Sequence, residues 1–479
     1  MVDETLKTIT IEPVTRIEGH AKITIELDNE GKVHDAHFHV TEFRGFEKLC
    51  EGRPFYEMPS LMGRVCGICC VSHMLASAKA CDALMAVRIS DTAINLRRIA
   101  NLAQLIQSHA LSFFYLSSPD LLLGMDAEPS QRNIMWLLKT HPELARDGVY
   151  LRKFGQEIIE FLGGKRLNAS WIVAGGVNAP LKEEVRKKIW ARTREAMPIA
   201  QRTLDWYKTV VYKYAEEMRI FANFPTLFMG LVTSNGELEH YDGKLRVVDQ
   251  TGYIVQDEVD PLSYGDLIGE AAVPYSYLKA PYYKPLGYPQ GIYRVGPLAR
   301  LNVIDRVGTP KAHDEWIEYR SLNKEQAMLS NFHNHYARLI EIVYSIERIQ
   351  QLLEDPNITR SNVRSNAGPN NMVGIGVTEA PRGTLIHHYR TDESGIVNWA
   401  NLIVATGHNS LAMNRGVLQV AKHYLNGSSL SEGMLNRVEA VIRTFDPCLS
   451  CSTHAFGKMP IHVKLIDSQG HVLQELKRD

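Results

Sequence analysis

DPCLSCSTH (446–454) and RVCGICCVSH (64–73) each carry a C-x-x-C, Cys448/Cys451 and Cys66/Cys69, and most of the chain lies between them. A C-x-x-C aims two sulfurs at one point, so the pairs supply four thiolates that can converge on a soft or borderline metal such as zinc, iron or nickel. Structural zinc, a redox or catalytic metal and unrelated thiols are all compatible with the spacing. Structural zinc usually staples a small local module. A site joining the two ends of a large chain points instead to a centre buried in a body that brings those ends together.

The rest of the sequence suits such a body. Of 479 residues, 45% are hydrophobic, and 53 Lys+Arg against 54 Asp+Glu leave a net charge of -1. That balance provides no bulk field for nucleic acid or an anionic membrane. The start, MVDETLKTIT, has no apolar secretory core, and no apolar run of roughly 18 residues is present to span a bilayer. The expectation is a soluble cytoplasmic protein with no nucleic-acid partner and no membrane span. Seven cysteines are too few and too uneven for a disulfide framework. Cys50, Cys70 and Cys81 have no partner at ligand spacing and read as small buried hydrophobes.

Element patterning predicts an α+β fold, predominantly helical, with small antiparallel sheets in a single compact body. TITIEPVTRI and AKITIELDNEGKVHDAHFHV alternate apolar and polar residues around a DNEG turn. SHMLASAKACDALMAV has helical spacing with Ser72 as N-cap, and DTAINLRRIANLAQLIQSHALSFFYL follows with Asp91 as cap. Leu96, Ile99, Leu102, Leu105 and Ile106 lie on one face of the latter and are expected to pack in the core. Two further long helical regions begin at LKEEVRKKIW and NKEQAMLSNF. KLRVVDQTGYIVQDEV, TLIHHYRTDESGIVNWANLIVAT and PIHVKLIDSQGHVLQEL read as hairpins with Gly at each turn. APYYKPLGYPQGIYRVGPLARLNV reads as an extended loop over the body.

Other stretches add charged and shaping residues: EPVTRIEGH (Arg16, Glu18, His20), FRGFE (Arg44, Glu47), SSPD (Asp120) and EAPRG (Pro381, Arg382). Any one alone is ordinary. Together with the four cysteines they resemble the large, catalytic subunit of nickel–iron hydrogenases, and the similarity extends over essentially the whole chain. The paired R-x-C-G-x-C-x-x-x-H and D-P-C-x-x-C-x-x-H motifs are highly specific. The wording between them is most similar to the cytoplasmic bidirectional NAD(P)-linked type. One departure is Cys70, where most such relatives carry proline.

The resemblance implies a Ni–Fe(CN)2(CO) centre. Cys66 and Cys448 would be terminal nickel ligands, and Cys69 and Cys451 would bridge nickel to iron. Four anionic sulfurs make the nickel electron-rich, and a ligand sulfur can accept a proton during heterolytic H2 cleavage. His73 would hydrogen-bond a bridging sulfur or a cyanide. Arg382 would face the open side of the metals with Asp120 as its carboxylate partner, and Pro381 would shape the diatomic-ligand pocket. Glu18 would be the proton-relay carboxylate, although an ion pair with Arg16 is the plainer use of that residue. Glu47, the Leu402 carbonyl and a terminus at His454 would hold magnesium (or ferrous iron).

The chain has no spare C-x-x-C set for an iron–sulfur cluster and no G-x-G-x-x-G after a strand for NAD or flavin. The implied partners are therefore a small subunit with an iron–sulfur cluster and diaphorase subunits with flavin and NAD(P), alongside a maturation endopeptidase and nickel chaperones. The implied organisation is a catalytic domain at 1–454 and a C-terminal propeptide at 455–479, cut between His454 and Ala455. Rival readings are another cytoplasmic nickel–iron hydrogenase with a different acceptor, a complex I-related subunit, which would lack the cysteines, and a zinc-stapled interaction protein.

Overall fold

In the computed structural model, which describes residues 7–324, 326–425, 430–453 and the backbone of 461–466 and 472–478, helices form the centre, and the described residues also form six small sheets. An N-terminal antiparallel sheet, β1 (Lys7–Ile11), β2 (Ala21–Leu27) and β3 (Val33–Val40), follows the alternation of its sequence. Ile23 and Ile25 are buried from one face, and Lys22 and Thr24 turn outward between them.

Helix α1 (Cys70–Met85) begins three residues earlier than its sequence suggests. Cys69 is the N-cap, and Ser72 lies inside the helix with its hydroxyl donating to Asn101 Oδ1 at 3.2 Å. Helix α2 (Asp91–Ala110) is capped by Ser90, whose Oγ accepts from the Ala93 amide, so Asp91 is the first helical residue. The expected apolar stripe of α2 is buried, but so are Arg97 and Gln104 on its other sides. The helix is therefore central and surrounded. Its end continues as a π-helical turn, Leu111–Ser117, a distortion common near functional sites.

Around α2 pack α3 (Pro142–Gly163) and α6 (Asn334–Glu354), and α4 (Glu183–Val210) lies against both. Between α4 and α6 come β4 (Leu227–Val232), β5 (Lys244–Val248), β6 (Ile254–Val259), β7 (Tyr293–Arg294) and the short helix α5 (Pro297–Val303). These strands form a sheet in the order β7-β4-β5-β6, with β7 and β4 parallel. The stretch read as a loop thus ends in a buried helix. Arg300 in α5 is fully buried between Glu341 and Glu379, and this burial of paired charge was hidden behind the flanking Pro and Gly.

The last sheet decides the site. β8 (Val373–Ala380), β9 (Gly383–Thr391) and β10 (Val397–Ile403) run antiparallel, and Pro381–Arg382 are the two-residue turn between β8 and β9. β8 lies directly on α1: a Cβ at Gly376 would fall 1.9 Å from the Ala76 carbonyl oxygen. That contact holds the turn against the helix led by Cys69. Helix α7 (Glu432–Phe445) then delivers the second cysteine pair. The backbone of the tail pairs as a hairpin, Ile461–Ile466 with Val472–Arg478, in line with its alternation. Among the described residues no helix is long and apolar enough to cross a membrane.

Candidate metal centre

The four cysteine sulfurs meet. Cys66, Cys69, Cys448 and Cys451 are buried with their Sγ atoms all within 4.8 Å of one another. Cys66–Cys448 are 3.3 Å apart, Cys69–Cys451 3.0 Å and Cys448–Cys451 3.0 Å. A disulfide would require about 2.05 Å. Sulfurs held at about 2.3 Å by one metal stand roughly 3.3–3.8 Å apart at angles of 90–109°, and the observed spacing is of that order.

The electrostatics lead to the same conclusion. The Cys66 thiol is drawn well down by hydrogen bonds from Cys448, Cys451 and Cys69. Cys448 is pushed well up by hydrogen bonding to Cys451, and Cys451 is pushed well up by burial. Four thiolates in a dry site repel each other and need a multivalent cation to coexist. The donor set therefore fits a soft metal centre.

Several contacts tie the two pairs into one unit. Arg44 donates to the carbonyls of Val65 (2.7 Å) and Ser450 (3.2 Å), one beside each pair, and stacks over Phe46 at 4.7 Å. The Cys448 amide donates to Thr406 Oγ1 at 2.9 Å. Glu18 bridges to the Cys448 segment through its backbone, its carbonyl accepting from the Leu449 amide at 3.1 Å. The Glu18 carboxylate accepts from the Ser450 amide at 3.0 Å and from the Ser450 hydroxyl. Gly19 makes this approach possible: its φ is +87°, and a Cβ there would meet Leu449 Cβ at 2.6 Å. Arg16 is engaged elsewhere, with Asp120 and the Leu116 carbonyl, so the plainer ion pair with Glu18 is not formed.

Arg382 is buried at the hairpin tip beside Pro381, which is also buried. Here the expected partner is corrected. The carboxylate on Arg382 is Asp446, at 3.0 Å from Nη2, with Nε donating to the Asp446 carbonyl at 2.6 Å and Nη1 to Ser108 Oγ at 3.1 Å. Asp120 is taken up by Arg16 (2.5 Å), Arg443 (2.9 Å) and Asn436 (3.1 Å). Burial opposes the charge of Arg382, but Asp446 and the thiolates of Cys448, Cys69 and Cys66 outweigh it and hold the guanidinium above its ordinary range. Asp446 stands inside the D-P-C motif. Its left-handed backbone, φ 55° at the end of α7, turns it toward Arg382, and sequence reasoning assigned it no role.

His73 lies one helical turn after Cys69, and its Nδ1 is 3.1 Å from His387 Nε2. Cys70, the departure from the common pattern, is buried 4.0 Å from Gln104 Oε1, and burial raises its thiol to about 11. Cys50 and Cys81 are buried as expected, and their thiols donate to the carbonyls of Phe46 and Phe55.

Glu47 and Leu402 are brought together. The Leu402 amide donates to Glu47 Oε1 at 2.8 Å across the open edge of β10, and an extended residue sends its carbonyl to the same side as its amide. Lys279 also donates to Glu47 Oε1 (2.7 Å) and lies 3.3 Å from Glu270. The lysine and the second carboxylate were not foreseen, because nothing local marks them. His454 and Ala455 lie outside the described residues.

Residues 44–132 and 241–454 match the profile of the nickel-dependent hydrogenase family, and residues 8–43 match one described as HoxL-like. The chain is 42% identical to the NAD-reducing hydrogenase HoxS subunit beta of Cupriavidus necator, covering 98% of this chain and 99% of that one. It is also 42% identical to a chain of the F420-non-reducing hydrogenase vhc of Methanococcus voltae, covering 95% and 97%. Among solved structures, an NAD+-reducing [NiFe]-hydrogenase in the H2-reduced state superposes with a TM-score of 0.91 at 42% identity, covering 94% of this chain and 99% of that one. The Ni-Fe-Se hydrogenase of D. vulgaris Hildenborough superposes at 0.76 with 25% identity, covering 94% and 100%. The buried four-sulfur cluster and these likenesses agree, and the chain belongs to the nickel-dependent hydrogenase family.

Proposed function

We propose that this chain is the catalytic subunit of a bidirectional hydrogenase that interconverts H2 with two protons and two electrons and passes the electrons toward NAD(P). The observation that carries the proposal is the buried four-sulfur cluster, with a charged guanidinium on one side and a carboxylate beside the Cys448–Cys451 turn. Cys66, Cys69, Cys448 and Cys451 would hold nickel, with Cys69 and Cys451 shared with an Fe(CN)2(CO) unit. When bound, that centre supplies polarisation of H2 and a sink for its electrons.

The chain's own groups do the rest. Arg382, fixed from three directions by Asp446 and Ser108, presents a permanent charge to the cluster at a place where burial strengthens it. Its neighbour Pro381 supplies a rigid apolar wall. Glu18 moves protons: its carboxylate already rests on Ser450, next to ligand Cys451, and half-exposure gives it an outward route. Glu47 and the Leu402 carbonyl, with His454 as third ligand, would hold magnesium, with Lys279 and Glu270 around it.

The partners are a small subunit carrying an iron–sulfur cluster and a flavin diaphorase, and the setting is the cytoplasm. The NAD-reducing relatives support this electron route. A different acceptor is the second reading, favoured by the equal identity to an F420-non-reducing hydrogenase. Residues 455–479 would be removed by an endopeptidase after nickel chaperones load the site, and the family match ending at residue 454 supports that boundary.

Metal analysis with infrared spectroscopy tests the core of the proposal. Nickel together with iron, and infrared bands of cyanide and carbon monoxide, is the expected result, and zinc alone would overturn it. NAD and NADP reduction by H2 in the purified complex separates the two acceptor readings.

A further inference from the structure

Arg300, fully buried in α5, holds more than its two carboxylates. A guanidinium carries five N–H groups in a fixed planar fork, and Arg300 uses all five. Nε donates to Glu341 Oε1 at 2.6 Å, Nη2 to Glu341 Oε2 at 2.7 Å, and Nη1 to Glu379 Oε2 at 2.9 Å. The other two reach the backbone: Nη1 donates to the Ala380 carbonyl at 2.9 Å and Nη2 to the Pro381 carbonyl at 3.3 Å. Those are the two residues that lead into Arg382 at the hairpin tip. The carboxylates are braced in turn. His109 Nε2 lies 2.7 Å from Glu341 Oε2, and Glu379 Oε1 accepts from the Thr384 hydroxyl at 2.7 Å and the Leu231 amide at 3.2 Å. Arg300, Glu341, Glu379, His109 and Thr384 are all fully buried. The main chain closes in as well: a Cβ at Gly296, just before α5, would fall 2.9 Å from the Arg382 carbonyl oxygen.

We infer that Arg300, held by Glu341 and Glu379, is a positioning residue for Arg382: it fixes the backbone of the hairpin tip and so sets where the Arg382 guanidinium stands against the four sulfurs. Asp446 and Ser108 grip the far end of that side chain. Its near end is set by the chain at 380 and 381, which they do not touch through these bonds. Buried carbonyls need donors, and a charged donor makes the stronger bond. Lysine is no substitute for Arg300, because three N–H groups on one nitrogen cannot span two carboxylates and two carbonyls.

This inference rests on the reading of Arg382 as the charge facing the metals. The test uses the purified nickel-loaded complex, with dye-linked H2 oxidation per bound nickel and the infrared bands of carbon monoxide and cyanide as readouts. In Arg300→Lys the tip shifts and turnover per nickel falls about 10- to 100-fold, the scale of a misplacement of about 1 Å. The bands move too, because Pro381 moves with the tip. Glu379→Gln keeps the volume but sets an amide NH2 against either Arg300 or the Leu231 amide. It moves the same readouts by less, and it serves if Arg300→Lys does not fold. Arg97→Lys is the control: Arg97 is as deeply buried, but its partners are Asp82 and the carbonyls of Val173 and Gly176. That variant loses thermal stability and keeps its bands and its turnover per nickel. Wild-type turnover per nickel with unmoved bands in Arg300→Lys or Glu379→Gln overturns the inference, as does an equal loss in Arg97→Lys. Variants that fold but load no nickel would assign Arg300 to assembly and overturn it as well. Arg382→Lys separates the two levels: wild-type turnover there removes the reading beneath, and a fall there without one in the Arg300 and Glu379 variants removes this inference alone.

Discussion

Replacing Asp446 with Asn isolates the charge that holds Arg382. Asn keeps the shape and tolerates the left-handed backbone at φ 55°, and its Oδ1 still accepts from Nη2. The Nε bond to the residue 446 carbonyl also survives. What is lost is the difference between a charge-assisted and a neutral hydrogen bond, about 1–2 kcal/mol. If that energy orients the guanidinium in the transition state, turnover falls about 5–30-fold. Asp446→Ala goes further: it leaves a buried guanidinium without its counter-charge, at about 3–5 kcal/mol, and loses the fold's tolerance for φ 55°. Arg382→Lys replaces a fork by a point charge that cannot serve Asp446 and Ser108 together, and turnover falls by orders of magnitude. The assay is H2 oxidation with a dye acceptor, normalised to bound nickel and paired with thermal unfolding. Asp120→Asn is the control. Its partners are Arg16 and Arg443, so it costs stability and leaves turnover per nickel intact. Asp446→Asn at full nickel and wild-type rate would refute the reasoning, as would an equal loss in Asp120→Asn.

Three more outcomes are expected. Glu18→Gln abolishes H/D exchange and turnover while nickel and iron remain bound, and exchange at the wild-type rate removes the relay assignment. Acid weakens the fold: burial lowers His109 to about 4 and His335 and His408 to about 3, from 6.5. The unfolded chain therefore takes up their protons first as pH falls through 6.5. Stability is full above that value and declines toward pH 4 by up to about 1.4 kcal/mol per pH unit for each histidine, as denaturant titrations at stepped pH would record; a flat profile from pH 7 to 5 contradicts it. Finally, intact mass of the active enzyme ends at His454, and that of protein from nickel-starved cells retains residues 455–479. Active enzyme keeping the tail would rule out processing as the closing step.

Local physics reaches far in this chain. Alternation and turn glycines define the N-terminal sheet, the β5–β6 and β9–β10 hairpins and the tail pair, because a half-buried strand writes its period of two directly into the sequence. The four ligands were legible for a related reason: the C-x-x-C turn is a local device, and two copies have few other uses. Helix starts were displaced by three residues and by one, since Cys69 and Ser90 compete with neighbouring candidates for the cap. VGIGVTEA was passed over as a strand, because Gly374 and Gly376, which answer to the backbone of α1, read locally as loop residues.

What the sequence alone determined is thus the chemistry available: four thiols, the carboxylates of Glu18 and Glu47, and the guanidinium of Arg382. Only the tertiary structure decided who pairs with whom. Asp120 and Asp446 are both acids in plausible motifs, and choosing between them for Arg382 depends on a left-handed residue ending α7 and on Arg16 and Arg443 reaching Asp120 from segments 104 and 323 positions away. Lys279, Glu270 and His387 carry no local mark for the same reason. Burial in a low dielectric makes each charge or ring nitrogen demand a partner, and the partner is supplied by whichever distant strand the packing brings alongside.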